Sequence, residues 1–561
     1  MWSLSFCTSF NKDGEGSRQS KPSDFSSEQL FQMSDYVNSG VADSSCPFWR
    51  KSRFSFIPPT VNFCSNRKGE VPEPNSNIRR KLLWCSSTLF PKIVKKMLIE
   101  HGFSIVPATE PWVGYWGQRH KVSDFVKLMP FQKVNHFPGN FLLGRKDRLC
   151  LSLDQMAKRW KKEEFGFAPE TFILPRQRRA LLARMKRNSG NCGVFILKPP
   201  SSSRGKGIRL TNKTWNIPEH KPLIVQRYIT NPFLINGFKF DLRLYVLVSC
   251  WKPLRAYIYE EGIVRFASCK YTADVSSLHN QYVHLTNFSI NKNAADLADV
   301  DLDSSELKWT LSQFWSYLSE KGIDNSALVV KILDLVIKAL ISCESPINAL
   351  MSKMMAASFM AYELYGFDIL IDSELRPWLI EVNISPSVRC SNEVDYAVKT
   401  SLVQDVLNIS GVQVPSDDLV LQAQAGKIER PPDSLQYINF FLKPYAVEPS
   451  KRSQAKISHF ERAFARTKTI DLSILNHLTS YDIRFLLDME DEYDRRGKFA
   501  PIIPTFFSQY YLKYFRKVEY VNLLVAAWKE RYSMNRDAGC DLLEKTGLSL
   551  LKQWLPKSCQ S

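Results

Sequence analysis

Three segments carry residues whose types and spacing could do chemistry together. The first is Lys198-Pro199-Pro200-Ser201-Ser202-Ser203-Arg204-Gly205-Lys206-Gly207-Ile208. The apolar run Val194 to Leu197 delivers a lysine, then a small, polar, glycine-containing loop with two more cations. Glycine lets the backbone approach an anion, backbone N–H groups can line it, and Lys or Arg neutralises it, which is what a nucleotide-phosphate cradle needs. It is not a Walker A loop, because the glycine required upstream of GK[ST] is missing. The second segment pairs Asp368 with Glu381-Val382-Asn383. Strand alternation puts Glu381 and Asn383 on one face, and a neighbouring strand bearing Asp368 would complete a hard-oxygen set suited to Mg²⁺. The third, Lys239-Phe240-Asp241-Leu242-Arg243, would turn its three charged side chains to one face. Each has a plainer alternative: an exposed basic turn, a surface hairpin, a buried ion-pair ladder. No nucleophilic Cys or Ser is signalled, and no Cys/His array has zinc spacing.

The elements that must position these residues lie between about 193 and 390, where short β-rich runs alternate with helical stretches. Val194 to Leu197, Leu223 to Gln226, Phe240 to Val248 and Leu254 to Tyr259 read as strands. Leu307 to Leu318 and Ala327 to Ser342 have apolar residues at helical spacing. Phe367 to Ile371 and Trp378 to Val382 flank Asp372-Ser373-Glu374 and read as a hairpin. The pattern is mixed α/β, or α+β. Residues 1 to 75, rich in Ser, Asn, Asp and Pro, read as a flexible leader, with Phe54 to Phe63 as a short docking segment at most. An N-terminal α/β domain is expected over 76–190, the catalytic core over 191–400, a polar connector over 401–432 and a helical, basic region over 433–561.

The chain has 561 residues, with 44% hydrophobic and 12% aromatic, enough for a sizeable core. Its 75 Lys and Arg against 56 Asp and Glu give a net charge of +19, which favours a polyanionic partner without choosing among nucleic acid, membrane and acidic protein. Arg176 to Arg187 carries six basic and no acidic residues, and Lys451 to Lys468 carries six basic and one acidic. The first is either a solvated helix face or a landing strip for an acidic partner. Leu328 to Ile341 is too short for a membrane span and is interrupted by Lys331, Asp334 and Lys338. No signal peptide is read at the N-terminus, and no nucleic-acid-binding module is recognisable. The expectation is an intracellular, monomeric protein.

In order along the chain, these segments resemble the tubulin-tyrosine-ligase-like family, and within it the polyglutamylases that start side chains on glutamates. The matching stretches are Asn135-His136-Phe137-Pro138-Gly139 with Arg145-Lys146-Asp147, the Lys198 loop, and residues 226–229, 237–246, 265–271, 284–292, 362–372 and 377–387. Residues 478–499 are similar to the helical region that follows the core in that branch. The resemblance implies an ATP-grasp-like core followed by a mainly helical C-terminal region. It also implies an enzyme that uses ATP and Mg²⁺ to join free glutamate to the glutamate γ-carboxylates of tubulin tails through an acyl phosphate. Lys198, Arg204 and Gly205 would contact ATP phosphate; Gln226, Arg227, Tyr228 and Ile229 would hold adenine. Lys239, Phe240, Asp241, Thr286 and Asn287 would line the nucleotide, with Arg243 beside the reacting phosphate. Asp368, Glu381 and Asn383 would bind Mg²⁺. Arg265, Phe288, Ser289 and Lys308 would hold the incoming glutamate. The family's glutamylases commonly have Tyr where this chain has Phe288, so one substrate hydrogen bond is missing. The implied address is the microtubule cytoskeleton of the cytoplasm, cilium or basal body. The rivals are a glycylase or tyrosine ligase of the same fold, an inactive microtubule-binding protein, and a nucleic-acid-binding protein suggested by charge alone.

Overall fold

The computed structural model describes residues 48–64, 74, 76–129, 131–186, 193–200, 205, 207–291, 306–355, 357–415, 417, 420–421 and 449–554. Two short strands come first, β1 (Trp49–Arg50) and β2 (Thr60–Val61), paired antiparallel. Next comes a four-stranded parallel sheet of β3 (Leu83–Cys85), β4 (Ser104–Val106), β5 (Gly114–Tyr115) and β6 (Lys133–Val134), in the order β4-β3-β5-β6. Helix α1 (Lys92–Glu100) connects β3 to β4 and buries Val94, Met97 and Leu98, the i, i+3, i+4 stripe of an amphipathic helix. Helix α2 (Lys146–Trp160) leads to the second sheet, an antiparallel one of β7 (Thr171–Leu174), β8 (Phe195–Lys198), β9 (Arg209–Thr211) and β10 (Leu223–Arg227), ordered β7-β10-β8-β9. Helix α3 (Arg178–Lys186) covers it through Leu181 and Met185.

The largest sheet holds β11 (Leu234–Ile235), β12 (Phe238–Trp251), β13 (Leu254–Tyr259), β14 (Ile263–Phe266), β15 (Lys308–Thr310), β16 (Glu363–Ile371), β17 (Pro377–Asn383) and β18 (Phe499–Ile503). The 14-residue β12 is its spine, pairing with β13, β14 and β16. Because side chains alternate along a strand, the two faces of β12 do different things. Phe240, Leu242, Leu244, Val246 and Val248 enter one core with α4 (Leu311–Glu320) and α5 (Asn325–Met354). On the other face Tyr245 and Leu247 pack with Val398, Leu402 and Val406 of α6 (Glu393–Ser410), and beyond Arg243 the residues Asp241 and Lys239 continue that face into an open cleft. The C-terminal part adds α7 (Lys451–Thr467), α8 (Ser480–Asp494), α9 (Tyr520–Tyr532) and α10 (Arg536–Trp554).

Several boundaries differ from expectation, each for a physical reason. The leader expected to reach residue 75 is partly folded: residues 48–64 bury Phe54, Val61 and Phe63, and Ser52 donates to Asp491 (2.6 Å) while Arg53 pairs with Asp537 (2.5 Å). Residues 1–47 lie outside the described residues. The helix expected from Leu307 is preceded by a strand. Lys308–Thr310 pairs with β14, and Thr310 then forms a capping box with Gln313 that starts α4. The connector expected from residue 401 is helical to Ser410, because Leu402, Val403, Val406 and Leu407 extend the buried stripe of α6. The C-terminal region is not purely helical, since β18 extends the main sheet beside β13. Among the described residues no helix is long and apolar enough to cross a membrane.

Buried polar atoms tie the parallel sheet to the main one. Glu363 on β16 is fully buried and accepts from Phe137 N (3.0 Å), Asn140 Nδ2 (2.7 Å) and Tyr365 Oη (2.9 Å), with His136 Nδ1 at 2.7 Å. Replacing Glu363 by Leu strands these groups. The expected loss is about 3–5 kcal/mol of stability, read as a lower urea midpoint for the full chain.

Candidate active site

The cleft lies between the second sheet and the end of β12, open to solvent. β8 brings Lys198 to its floor, where Nζ donates to Gln226 Oε1 of the adjacent β10 (2.8 Å). Lys239, on β12, donates to Tyr228 Oη (2.8 Å) and to the His284 carbonyl (2.9 Å). Both ammonium groups are nearly fully buried, and their hydrogen-bond acceptors among the described residues are neutral. Burial lowers the Lys198 pKa to about 8, against the opposing field of Glu381. Burial lowers Lys239 to about 7, with Asp241 opposing and Lys198 adding to the fall. Two such cations at one floor make a site that an anion would stabilise. The adjoining His284 is kept neutral, its pKa lowered to about 4 by burial and then by Lys239.

Pro199, Gly205 and Ile208 line one side. Gly205 sits at φ +74°, and a Cβ there would fall 2.3 Å from Ile290 Cδ1 and 3.2 Å from Asn287 Oδ1, so only glycine fits. Arg204 lies outside the described residues. Gln226, Arg227, Tyr228 and Ile229 line the cleft, as do Thr286 and Asn287. Asn291 holds the latter turn: its Oδ1 accepts from Ser268 N (2.9 Å) and Oγ (2.8 Å), and its Nδ2 donates to the carbonyls of Leu285 (2.8 Å) and Asn287 (3.2 Å). Phe240 does not reach the cleft. Alternation on β12 turns it away, with its ring in the core 5.4 Å from Phe314 and 5.9 Å from Phe266.

The three residues expected to bind a metal meet on one hairpin. β16 and β17 pair Asp368 with Glu381 and Gly366 with Asn383, and the Asn383 carboxamide lies 3.4 Å from Asp368 Oδ2 and 3.3 Å from Glu381 Oε1. Two carboxylates and a carboxamide converging beside the buried lysines fit a hard divalent cation that bridges phosphates. The amide as placed points its NH₂ at both carboxylates, and turning its oxygen inward would complete the donor set. Arg243 grips Asp368 with two bonds (2.5 and 3.0 Å), and Gly366 leaves it room, since a Cβ there would come within 3.1 Å of Arg243 Cδ. Arg265 on β14 binds Asp241 (2.8 and 2.5 Å) and Asp368 (2.8 Å). Burial alone would raise the Asp368 pKa, but Arg243 and Arg265 outweigh it and hold the group below the ordinary carboxylate value. The charged face of β12 is therefore an ion-pair ladder whose end opens into the cleft.

The residues expected to hold an amino acid form a second cluster. Lys308 sits opposite Arg265 in the β14–β15 register, and its Nζ lies 3.7 Å from the Phe288 ring centroid. A cation over an aromatic face is attracted by the ring's quadrupole, so Phe288 keeps a favourable contact without a hydroxyl. Ser289 follows it, half-buried, on a single helical turn, Phe288–Asn291.

Two polar residues of the lining were given no role from sequence. Lys146 opens α2 and bridges Glu381 at 2.7 Å. His284 had no signal beyond its own type, because its role depends on Tyr228 and Lys239 folding against it.

A family model described as "Tubulin-tyrosine ligase family" matches residues 126–420. The chain is 38% identical to the tubulin monoglutamylase TTLL4 of Homo sapiens over 501 residues, which is 88% of this chain and 41% of that protein. It is 38% identical to the tubulin polyglutamylase ttll-4 of Caenorhabditis elegans over 504 residues, 90% of this chain and 80% of that one. With the tubulin polyglutamylase TTLL5 of Mus musculus the figure is 36% over 424 residues, 74% and 31% of the two chains. The chain thus spans well under half the length of the human relative and most of the nematode one. With the family model covering more than half its residues, this chain belongs to the tubulin-tyrosine ligase family.

Proposed function

We propose that the chain is an ATP- and Mg²⁺-dependent ligase that joins free glutamate, through an isopeptide bond, to glutamate side chains in the acidic tails of tubulin. The observation that carries this reading is the adjacency of three groups: buried Lys198 and Lys239, the Asp368–Glu381–Asn383 oxygen set, and the cationic Arg265–Lys308 pair. The names of the relatives, tubulin glutamylases, agree with it.

Lys198, Lys239 and Lys146 neutralise the triphosphate of ATP, and residues 226–229 face the adenine. Asp368, Glu381 and Asn383 hold Mg²⁺, which when bound offsets charge on the transferring phosphoryl group. A γ-carboxylate oxygen of the acceptor attacks the terminal phosphorus, and the bond to the ADP oxygen breaks. Glutamate's α-amine then attacks the activated carbonyl, forms the C–N bond, loses a proton and releases phosphate. Arg265 and Lys308 orient glutamate by its carboxylates. Incubating the enzyme with acceptor and labelled glutamate, glycine and tyrosine in equal amounts tests the choice. Incorporation of glutamate is expected, and incorporation of glycine or tyrosine instead would show a different ligase on the same fold.

The excess positive charge is available to an acidic tail. In α3, Arg178 and Arg184 pair with Glu219 (2.8 Å) and Glu170 (3.1 Å); among the described residues Arg179 and Lys186 are exposed on the helix and Arg176 is exposed just before it. Lys451, Arg452, Arg462 and Arg466 are exposed on α7, whereas Lys456 bonds Asp482 (2.8 Å). Changing these seven exposed residues to Gln should weaken microtubule co-sedimentation and flatten its salt dependence. An unchanged salt profile would place the tail elsewhere.

A further inference from the structure

We propose that Asp395 is the positioning residue of the amino-acid pocket, fixing the Lys308 ammonium toward the incoming glutamate. The inference rests on the reading of Lys308 as glutamate's partner given above.

Lys308 Nζ lies 2.7 Å from Asp395 Oδ2 and 3.1 Å from Ser391 Oγ. With the Phe288 ring at 3.7 Å, the ammonium is held by a carboxylate, a hydroxyl and a π face. Asp395 is itself immobilised. It sits 1% exposed in the first turn of α6, and its Oδ2 also accepts from Ser391 N (3.1 Å) and Oγ (2.5 Å). Its Oδ1 lies 2.7 Å from Lys399 Nζ, one turn along, and that amine also donates to the Arg389 carbonyl (2.8 Å). Arg389 and Ser391 lie on the segment that leaves β17, the strand bearing Glu381 and Asn383. One run of chain therefore carries the oxygen ligands and the clamp on Lys308.

Lys308 needs such a clamp. Burial lowers its pKa, Asp395 opposes the fall, nearby Arg265 adds to it and Cys390 opposes it weakly. These groups, with Lys399 behind Asp395 and the neutral Phe288 and Ser391, are what face the amine. A deprotonated amine would not attract a carboxylate. Asp395 can also share Lys308 without being stranded, because Lys399 and the two Ser391 donors still satisfy it when Lys308 turns toward substrate.

The test is steady-state kinetics of the full chain, with glutamate and ATP varied separately between about pH 6 and pH 9. In Asp395→Asn, KM for glutamate should rise about tenfold near neutrality and further as pH increases, with KM for ATP little changed. Adding Lys308→Arg should remove the pH dependence, because a guanidinium does not lose its proton. Asp395→Glu, which keeps the charge, should keep the wild-type pH profile even if binding weakens. Wild-type glutamate KM and pH profile in Asp395→Asn would overturn the proposal. So would a parallel rise of both KM values without pH dependence, or a shifted profile in Asp395→Glu. Each of these presumes that the wild type incorporates glutamate; if it does not, the ligase reading itself falls, and this inference with it.

Discussion

Arg265→Leu should abolish glutamate incorporation and lower the stability of the protein in one step. Arg265 supplies both hydrogen bonds that Asp241 accepts and a third to Asp368, all at or below 11% side-chain exposure. Removing it leaves the largely buried Asp241 carboxylate at the cleft wall without its partner, and breaking a buried pair in this way costs about 3–5 kcal/mol. Urea unfolding of the full chain measures that loss. The double variant Asp241→Asn, Arg265→Leu should recover part of the stability, since the stranded charge is gone, yet remain inactive, since the glutamate-facing cation is still missing. Recovery of activity along with stability would mean that Arg265 serves the fold alone.

Lys198→Met carries the opposite signature: ATP affinity is expected to fall about 10- to 100-fold, the worth of a charge-assisted hydrogen bond, while the unliganded protein becomes more stable at neutral pH. The buried ammonium is unfavourable without its anion, so a methionine of similar shape removes the penalty. The same asymmetry gives a pH dependence in the wild type. Lys198 and Lys239 have pKa values lowered to about 8 and about 7, below that of about 10.4 for an unfolded lysine. Between those values the unfolded chain binds more protons than the folded one, so stability rises with pH. ATP needs the ammonium forms, so its affinity falls across the same interval. Isothermal titration of ATP and urea titrations at each pH should therefore move in opposite directions. If both rise or both fall together, the lysines are not the phosphate contacts.

The sequence carried the strand-borne half of this site because a period of two is readable from residues alone. Lys239, Asp241 and Arg243 alternate with apolar neighbours, as do Glu381 and Asn383, and the structure puts each set on one face. The hairpin itself was readable from the turn at 372–374, but the register was not: the turn alone would set Asp368 opposite Ile380, and a bulge between Asp368 and Ile369 brings it opposite Glu381. Phe240 was placed at the nucleotide only through its neighbours in a family stretch, although its own parity along β12 assigns it to the core. What sequence could not supply were contacts between distant segments. Lys146 meets Glu381 across 235 positions, Lys308 meets Asp395 across 87, and nothing local in either pair announces its partner. The short strand Lys308–Thr310 was hidden for the same reason: three residues have no periodicity, and only the pairing with β14 defines it. The fold of residues 48–64 was masked by the polar residues that precede and follow it, and its place rests on buried Phe48, Phe54, Val61 and Phe63 and on bonds to α8 and α10 more than 400 residues away.

The most direct test of the account is mass spectrometry of microtubules incubated with the protein, Mg²⁺, ATP and glutamate, alongside Glu381→Gln, which removes the charged member of the proposed metal set on β17. Added masses of one glutamate residue on tubulin tail peptides, dependent on ATP and absent with the variant, are the predicted result. Tails of unchanged mass with a protein that binds ATP, or glutamate addition undiminished by Glu381→Gln, would contradict it.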